Sequence, residues 1–301
     1  MNLQAEGISG KTKLICLLGR PVAHSISPAM HNEAFRLLGL DYRYLAFDVG
    51  REELPAAVEG LKVLGARGWN LTMPDKSLMA ELCDVLSPAA SLTGSVNTVV
   101  NENGVLIGNT TDGYGYMESI RQSGFSPEGK VMTLLGGGGA AVAICTQAAL
   151  DGMKKIYVFN RRGKSRDRMD ELAEKLRAAA SCQVISCDLA DEELLAERIH
   201  CSDILTNASS VGMERGADDT DDCLIRDPKM LHPGLFVSDI IYEPRQTRLL
   251  KMAGQQGCQT ANGLLMLLYQ GAEAFRLWTG CEMPAGEIRQ LFFQQQSKVK
   301  K

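Results

Sequence analysis

"VMTLLGGGGAAVAICTQAALDGMKKIYVFN" fills residues 131–160. Its opening "VMTLLG" is short, apolar and closed by a glycine, the pattern of a buried strand. "GGGAAVAICTQAALDG" is a glycine-led helix, and "KIYVFN" is a second apolar strand. Strand, glycine turn, helix and strand together make a βαβ unit. Gly136, Gly138 and Ala141 match G-x-G-x-x-[G/A] at the strand-to-helix turn, and Gly137, Gly139 and Ala140 complete it. In that pattern the first glycine permits the tight turn and the second lets backbone approach a pyrophosphate. The small third residue allows close helix–strand packing. Unpaired N–H groups and the positive dipole end of the helix then face the phosphates. A merely close-packed turn is the competing reading, and the βαβ setting favours a dinucleotide site.

The second strand refines the cofactor. An NAD site ends this strand with an acid for the ribose hydroxyls, whereas here "VFNRRGKSR" has none. Asn160, Arg161, Arg162 and Lys164 follow instead, and guanidinium forks suit the oxygens of a 2′-phosphate. NADP(H) is favoured over a solvated basic loop, with NAD(H) left open.

Working outward, "CQVISC", "SDILTNAS" and "LFVSDIIY" are further strand candidates, and residues 263–278 form a long helix rich in Leu, Met and aromatics. A polar tail, "QQQSKVKK", is expected to fray. Upstream, "LICLLG" (14–19) and "YRYLAFDV" (42–49) are strands. Between them runs a helix with Ser27 at its N-cap, Pro28 at its first position and Gly39 just past its end. Residues 51–64 form a helix with Leu54, Val58, Leu61 and Leu64 on one face. "GWNLTM" is a third strand, and Pro74 opens a helix whose first turn holds Lys76. "SVNTVV" and "GVLIGNT" form a hairpin around Asn103-Gly104. Strands alternating with helices indicate an α/β fold. The expected organisation is an α/β substrate domain, residues 1–112 and 258–301, completed by C-terminal helices. A Rossmann-like NAD(P) domain, residues 113–257, is inserted between its two parts.

Composition narrows the function. The 301 residues are 45% hydrophobic and 23% charged, enough for two ordinary cores. A formal net charge of −4 offers no basic excess for nucleic acid. No apolar run is long enough for a bilayer and the first residues lack a secretory signal, so a cytoplasmic protein is expected. Nine scattered cysteines never form C-x-x-C, which suits reduced thiols. The four histidines are dispersed and offer no metal cluster.

"HSISP", "NLTMPDK", "GSVNT", "TTDG", "LLGGGGAA", "NRR" and "YEPRQTRLL…NGLLMLLYQGAEAFRLWTG" resemble, in order and spacing, the shikimate dehydrogenase family. The likeness covers about residues 14–280, and it is strongest to the quinate/shikimate dehydrogenase branch. It implies interconversion of shikimate and 3-dehydroshikimate with NADP(H), a branch that also accepts quinate and NAD(H). By the same resemblance Ser25 and Ser27 hold the substrate carboxylate, and Thr72 and Asn97 meet ring hydroxyls. Lys76 is the catalytic lysine and Asp112 its partner. Gln270 reaches the substrate from the C-terminal helix, and Asn70, Tyr242 and Gly263 line the cleft. Thr110 stands where the family usually has Asn, and Gly163 where the dual-cofactor branch can carry Asp.

Oxidising a ring alcohol requires loss of the hydroxyl proton as hydride leaves carbon. Lys76 is assigned that proton and Asp112 the orientation of the lysine. The helix start disfavours an ammonium while Asp112 favours it, and a charged lysine would also stabilise a developing alkoxide. No metal is needed, and a homodimer stays open. The competing functions are a quinate- or aminoshikimate-preferring dehydrogenase, a non-catalytic ring-acid sensor and an unrelated Rossmann reductase. The last would leave "HSISP" and Gln270 unexplained.

Overall fold

A computed structural model describes residues 7–213 and 222–294, so the polar tail from residue 295 lies outside the described residues. The chain divides into two compact units. The first runs to Thr111 and resumes at Gly271, and the second is Asp112–Gln270.

In the first unit the elements are β1 (Lys13–Gly19), α1 (Ser27–Leu37), β2 (Tyr42–Asp48), α2 (Leu54–Val63), β3 (Gly68–Leu71) and α3 (Lys76–Leu82). They are followed by β4 (Val85–Leu86), α4 (Pro88–Thr93), β5 (Thr98–Glu102) and β6 (Val105–Asn109). The sheet order is β2-β1-β3-β5-β6-β4. Among the described strands only β5 runs against its neighbours. The hairpin expected at Asn103-Gly104 is present: both residues have positive φ, 54° and 95°, as a two-residue turn between twisted strands requires.

Three expectations shift here. The N-cap of α1 is Ile26 rather than Ser27, and the Ser27 N–H donates to Ser25 Oγ at 3.2 Å. The capping oxygen thus comes from two residues upstream. Leu64 leaves the apolar face of α2 and is 75% exposed, because the helix ends at Val63. Pro74 precedes the helix, Asp75 is the N-cap, and Lys76 is the first residue of α3.

The second unit opens with α5 (Asp112–Gln122), then β7 (Val131–Leu135), α6 (Gly139–Leu150), β8 (Lys155–Asn160), α7 (Lys164–Ala179) and β9 (Gln183–Asp188). It continues through α8 (Glu192–His200), β10 (Ile204–Asn207), β11 (Phe236–Asp239), α9 (Arg248–Gln255) and β12 (Gln259–Ala261). Its six described strands are all parallel, in the order β12-β11-β10-β7-β8-β9. Counted from β7, this is the 3-2-1-4-5-6 order of a doubly wound dinucleotide fold, with its switch point between β7 and β10. The unit runs past the expected boundary at 258, because β12 adds a parallel edge strand to this sheet.

The last long helix, α10 (Leu264–Thr279), crosses from the second unit to the first, and α11 (Ala285–Ile288) follows it. Trp278, 1% exposed, donates from Nε1 to Val99 O at 2.9 Å, while Arg67 Nε donates to Trp278 O at 2.8 Å. Gly68 makes room for this seat: a Cβ there would meet both Val99 O and the indole nitrogen. The C-terminal helices therefore complete the core of the first unit.

Candidate active site

In the first unit the residues of "NLTMPDK" are fixed by a buried polar web. The Tyr44 hydroxyl donates to Asn70 Oδ1 at 2.8 Å. Asn70 Nδ2 donates to Asn97 O at 3.0 Å and to Thr98 Oγ1 at 2.9 Å. Thr98 Oγ1 donates to Asn97 Oδ1 at 3.0 Å. Asn97 in turn clasps Thr111, whose N–H donates to Asn97 Oδ1 at 2.8 Å, while Asn97 Nδ2 donates to Thr111 Oγ1 at 3.1 Å. Asn70, Asn97, Thr98 and Thr111 are all buried, and a buried polar web that is satisfied is rigid. Asn70 thus has both amide protons and its oxygen engaged within the protein.

The web also holds Lys76 by its backbone, since the Val96 N–H, next to Asn97, donates to Lys76 O at 2.9 Å. Thr72 continues β3 beside β1, with its N–H donating to Leu18 O at 3.0 Å. Ser25, Ser27, Thr72 and Lys76 are half-buried. The Ser27 hydroxyl lies against the Tyr44 phenol, whose acidity is suppressed by burial. Thr111, rather than the atypical Thr110, supplies the hydrogen bonds just before Asp112.

Asp75 was not singled out in the sequence. It is fully buried, neither carboxyl oxygen has a hydrogen-bond partner among the described residues, and burial raises its pKa against the pull of Arg51 and Arg20. Tyr44 was also missed. The only signal for it is alternation in β2, where Tyr42 and Tyr44 face inward and Leu45 outward.

In the second unit Asp112 opens α5. A Cβ on Gly113 would come 2.7 Å from Gln147 Cβ on α6, and one on Gly115 would come 2.5 Å from Gln270 N on α10. These glycines let α5 lie close against both helices. Gln270 is half-buried and donates from Nε2 to Leu267 O at 3.1 Å.

The glycine turn has the geometry that its sequence demands. Gly136 has φ +121°, and a Cβ there would stand 2.9 Å from Ala208 O. Gly138 is the N-cap of α6 and has no side-chain cap, while a Cβ on Gly138 or Gly139 would meet nothing within 4 Å. Ala141 is fully buried. A Cβ on Gly137 would strike the Asn160 amide. Asn160 is 3% exposed, and neither its nitrogen nor its oxygen has a partner among the described residues. An orphaned buried amide beneath an open glycine turn and an uncapped helix start fits a dinucleotide.

Beyond Asn160, Arg161 and Arg162 are exposed. Arg162 Nε donates to Asp188 Oδ2 at 2.6 Å. Tyr242 is 44% exposed. Gly263, whose N–H donates to Ile241 O at 3.0 Å, lies so close to Ile240 O that no side chain fits. The segment before Tyr242 is pinned by Asp239, which accepts from Asn207 Nδ2 at 3.1 Å, Ile241 N at 3.1 Å and Thr247 Oγ1 at 2.8 Å. Burial raises the Asp239 pKa and these hydrogen bonds oppose it. Among the described residues no cluster of three His, Cys, Asp or Glu could hold a metal ion.

Residues 17–99 match the shikimate dehydrogenase substrate binding domain, and residues 263–291 match the shikimate 5'-dehydrogenase C-terminal domain. The chain is 49% identical over 292 residues to a shikimate dehydrogenase (NADP(+)) of Listeria monocytogenes, covering 97% of this chain and 99% of the relative. It is 44% identical over 284 residues to a quinate/shikimate dehydrogenase of Escherichia coli, covering 94% and 98%. Among solved structures, it resembles shikimate 5-dehydrogenase from Listeria monocytogenes in complex with shikimate and NAD, at a TM-score of 0.92 and 49% identity. That likeness covers 96% of this chain and 99% of the other.

Proposed function

Since the chain belongs to the shikimate dehydrogenase family, we propose that it is an NADP(H)-dependent oxidoreductase interconverting shikimate and 3-dehydroshikimate, with Lys76 and Asp112 as its acid–base pair. The nicotinamide supplies the hydride acceptor and donor. The chain supplies everything else: it holds the ring, moves the hydroxyl proton and selects the cofactor.

In this reading Ser25 and Ser27 hold the ring carboxylate, and Thr72 and Asn97 meet ring hydroxyls. Asn70 acts from below, by fixing Asn97 and Thr98. Lys76 takes the hydroxyl proton during oxidation and returns it during reduction, and Asp112 orients it. Gln270 completes the contacts to the ring. Gly136, Gly137, Gly138, Gly139 and Ala140 cradle the pyrophosphate, and Asn160 uses its orphaned amide on the adenosine side. Arg161 and Arg162 meet the 2′-phosphate, while Tyr242 and Gly263 line the nicotinamide end.

Backbone hydrogen bonds in the first unit support the proton assignment. The buried web fixes the Lys76 backbone through Val96 and, through Thr111, the start of the helix that opens with Asp112. Segment 96–97 thus holds the Lys76 carbonyl and Thr111, the residue before Asp112. No helix among the described residues is long and apolar enough to cross a membrane. A cytoplasmic location belongs to the same reading and suits the nine free cysteines. Assembly as a homodimer is decided by sedimentation of the full chain.

Steady-state rates with shikimate and quinate, each with NADP⁺ and NAD⁺, test the activity. The highest kcat/KM is expected for shikimate with NADP⁺. Turnover of quinate alone would move the protein to the quinate-preferring alternative suggested by the Escherichia coli relative. The cofactor arm has its own test. Replacing both Arg161 and Arg162 with Ala is expected to raise KM for NADP⁺ about tenfold or more, from lost charge-assisted hydrogen bonds. KM for NAD⁺ should barely change. Equal effects on both cofactors would return the loop to a solvated basic surface.

A further inference from the structure

The two arginines of the "NRR" loop are not equivalent. Arg161 is exposed and makes no hydrogen bond to any described residue, whereas Arg162 is tethered. Its partner, Asp188, is the last residue of β9 and lies opposite Asn160, the last residue of β8, in the parallel register. The carboxylate is itself anchored, because its Oδ1 accepts the Ala190 N–H at 3.0 Å. Its Oδ2 accepts Arg162 Nε at 2.6 Å. The Asp188 side chain is 22% exposed and that of Arg162 is 87% exposed. The tether therefore engages Nε alone, and the two terminal guanidinium nitrogens have no hydrogen-bond partner among the described residues.

We propose that Asp188 is a positioning residue for cofactor selection, holding Arg162 by Nε so that its terminal nitrogens are presented to the 2′-phosphate of NADP(H). The inference rests on the NADP(H) reading above.

Two opposing effects decide whether such a carboxylate helps or harms. A free arginine loses rotamer freedom when it grips a phosphate, and a tethered one has already lost much of it. Against this, a negative charge near the phosphate site repels the ligand. Here the carboxylate is matched on both oxygens, by a backbone N–H on one and a guanidinium on the other, so its field toward the phosphate is largely cancelled. Its ionised form is favoured first by the Ala190 N–H and then by Arg162, so the tether persists through the neutral range. Orientation must outweigh repulsion for the proposal to hold, and the sign of the change in 2′,5′-ADP affinity decides it. As a surface ion pair the contact adds little to stability, and its consequence lies in the aim of the arginine.

The test is calorimetric titration of the full chain with 2′,5′-ADP and with 5′-AMP, which lacks the 2′-phosphate. Asp188→Ala is expected to weaken 2′,5′-ADP about fivefold, a loss of order RT ln 5, and to leave 5′-AMP unchanged. Arg162→Ala should do the same, and the double variant should bind 2′,5′-ADP no more weakly than Arg162→Ala alone, since the two residues act as one. Should Asp188→Ala melt early, Asp188→Val, which suits a strand end and offers Arg162 Nε no acceptor, carries the same comparison. Tighter binding of 2′,5′-ADP without Asp188, or additive losses in the double variant, would overturn the proposal. A wild-type chain that fails to favour 2′,5′-ADP over 5′-AMP would instead overturn the NADP(H) reading on which it rests.

Discussion

Lys76→Ala is expected to lower kcat for shikimate oxidation by about two to four orders of magnitude, the usual contribution of a positioned acid or base, with shikimate affinity nearly unchanged. The split follows from the way the residue is held. Its backbone is fixed independently of the ammonium, since the carbonyl accepts the Val96 N–H and the residue opens α3. Alanine keeps those features and is the best helix former, so the substitution deletes the ammonium and leaves the frame. The ring is held by other groups in the proposed site, Ser25, Ser27, Thr72 and Asn97, so binding should survive. Kinetics at saturating NADP⁺, with shikimate affinity from equilibrium titration, separate the two quantities. Partial recovery with added small amines would show that the missing group is a proton carrier. Near-normal turnover of Lys76→Ala would sink the mechanism, and a large loss of affinity with unchanged kcat would make Lys76 a binding residue.

The glycine turn was legible because its constraint is local. A tight turn after a buried strand needs a glycine at 136, and the residue has φ +121°. The hairpin at Asn103-Gly104 was legible for the same reason. The parallel order of the second sheet also follows, since βαβ crossovers are right-handed and leave few topologies. The start of α1 was less secure: a proline at 28 fits the first or the second helical position, and capping chemistry fixed the register only once Ser25 Oγ met the Ser27 N–H. The end of the second unit was missed because β12 is three residues long, two of them exposed, and carries no apolar run.

Within the site, residue types were legible and their division of labour was not. Asn70 looks like a donor aimed at ligand, yet its amide is committed to Tyr44, Asn97 and Thr98, residues up to 28 positions away. Arg162 and Asp188 are 26 positions apart and meet only because β8 and β9 are neighbours. Tertiary pairing of this kind leaves no local trace in the sequence.

His31 should make the first unit selectively acid-labile. The ring is fully buried on α1, stacked on Tyr44 at 4.6 Å and 9° and flanked by Phe275 at 6.3 Å and the edge of Trp278 at 5.4 Å. Neither ring nitrogen has a hydrogen-bond partner among the described residues, and burial lowers its pKa from 6.5 to about 3. The sign follows directly. Below the unfolded value the unfolded chain takes up a proton that the folded chain refuses, so stability falls with pH until the folded value is reached. Between about pH 7.5 and about pH 3.5 this costs about 4 kcal/mol. Asp75 and Asp239 act in the opposite sense, because their raised pKa values let the folded state protonate first as pH falls. The whole-protein curve therefore mixes signs, and a difference between variants is the cleaner measurement. His31→Leu removes the titration and is expected to cost about 1–3 kcal/mol at neutral pH from altered packing. On acidification its disadvantage should shrink and then reverse. Both tryptophans of the chain, Trp69 and Trp278, are buried in the first unit, so urea unfolding followed by their fluorescence reports this unit. Parallel stability curves for the two proteins across that range would show that the cage tolerates a charged His31. Convergence followed by crossing would show that the floor beneath Tyr44, and with it the anchor of Asn70, depends on a neutral imidazole.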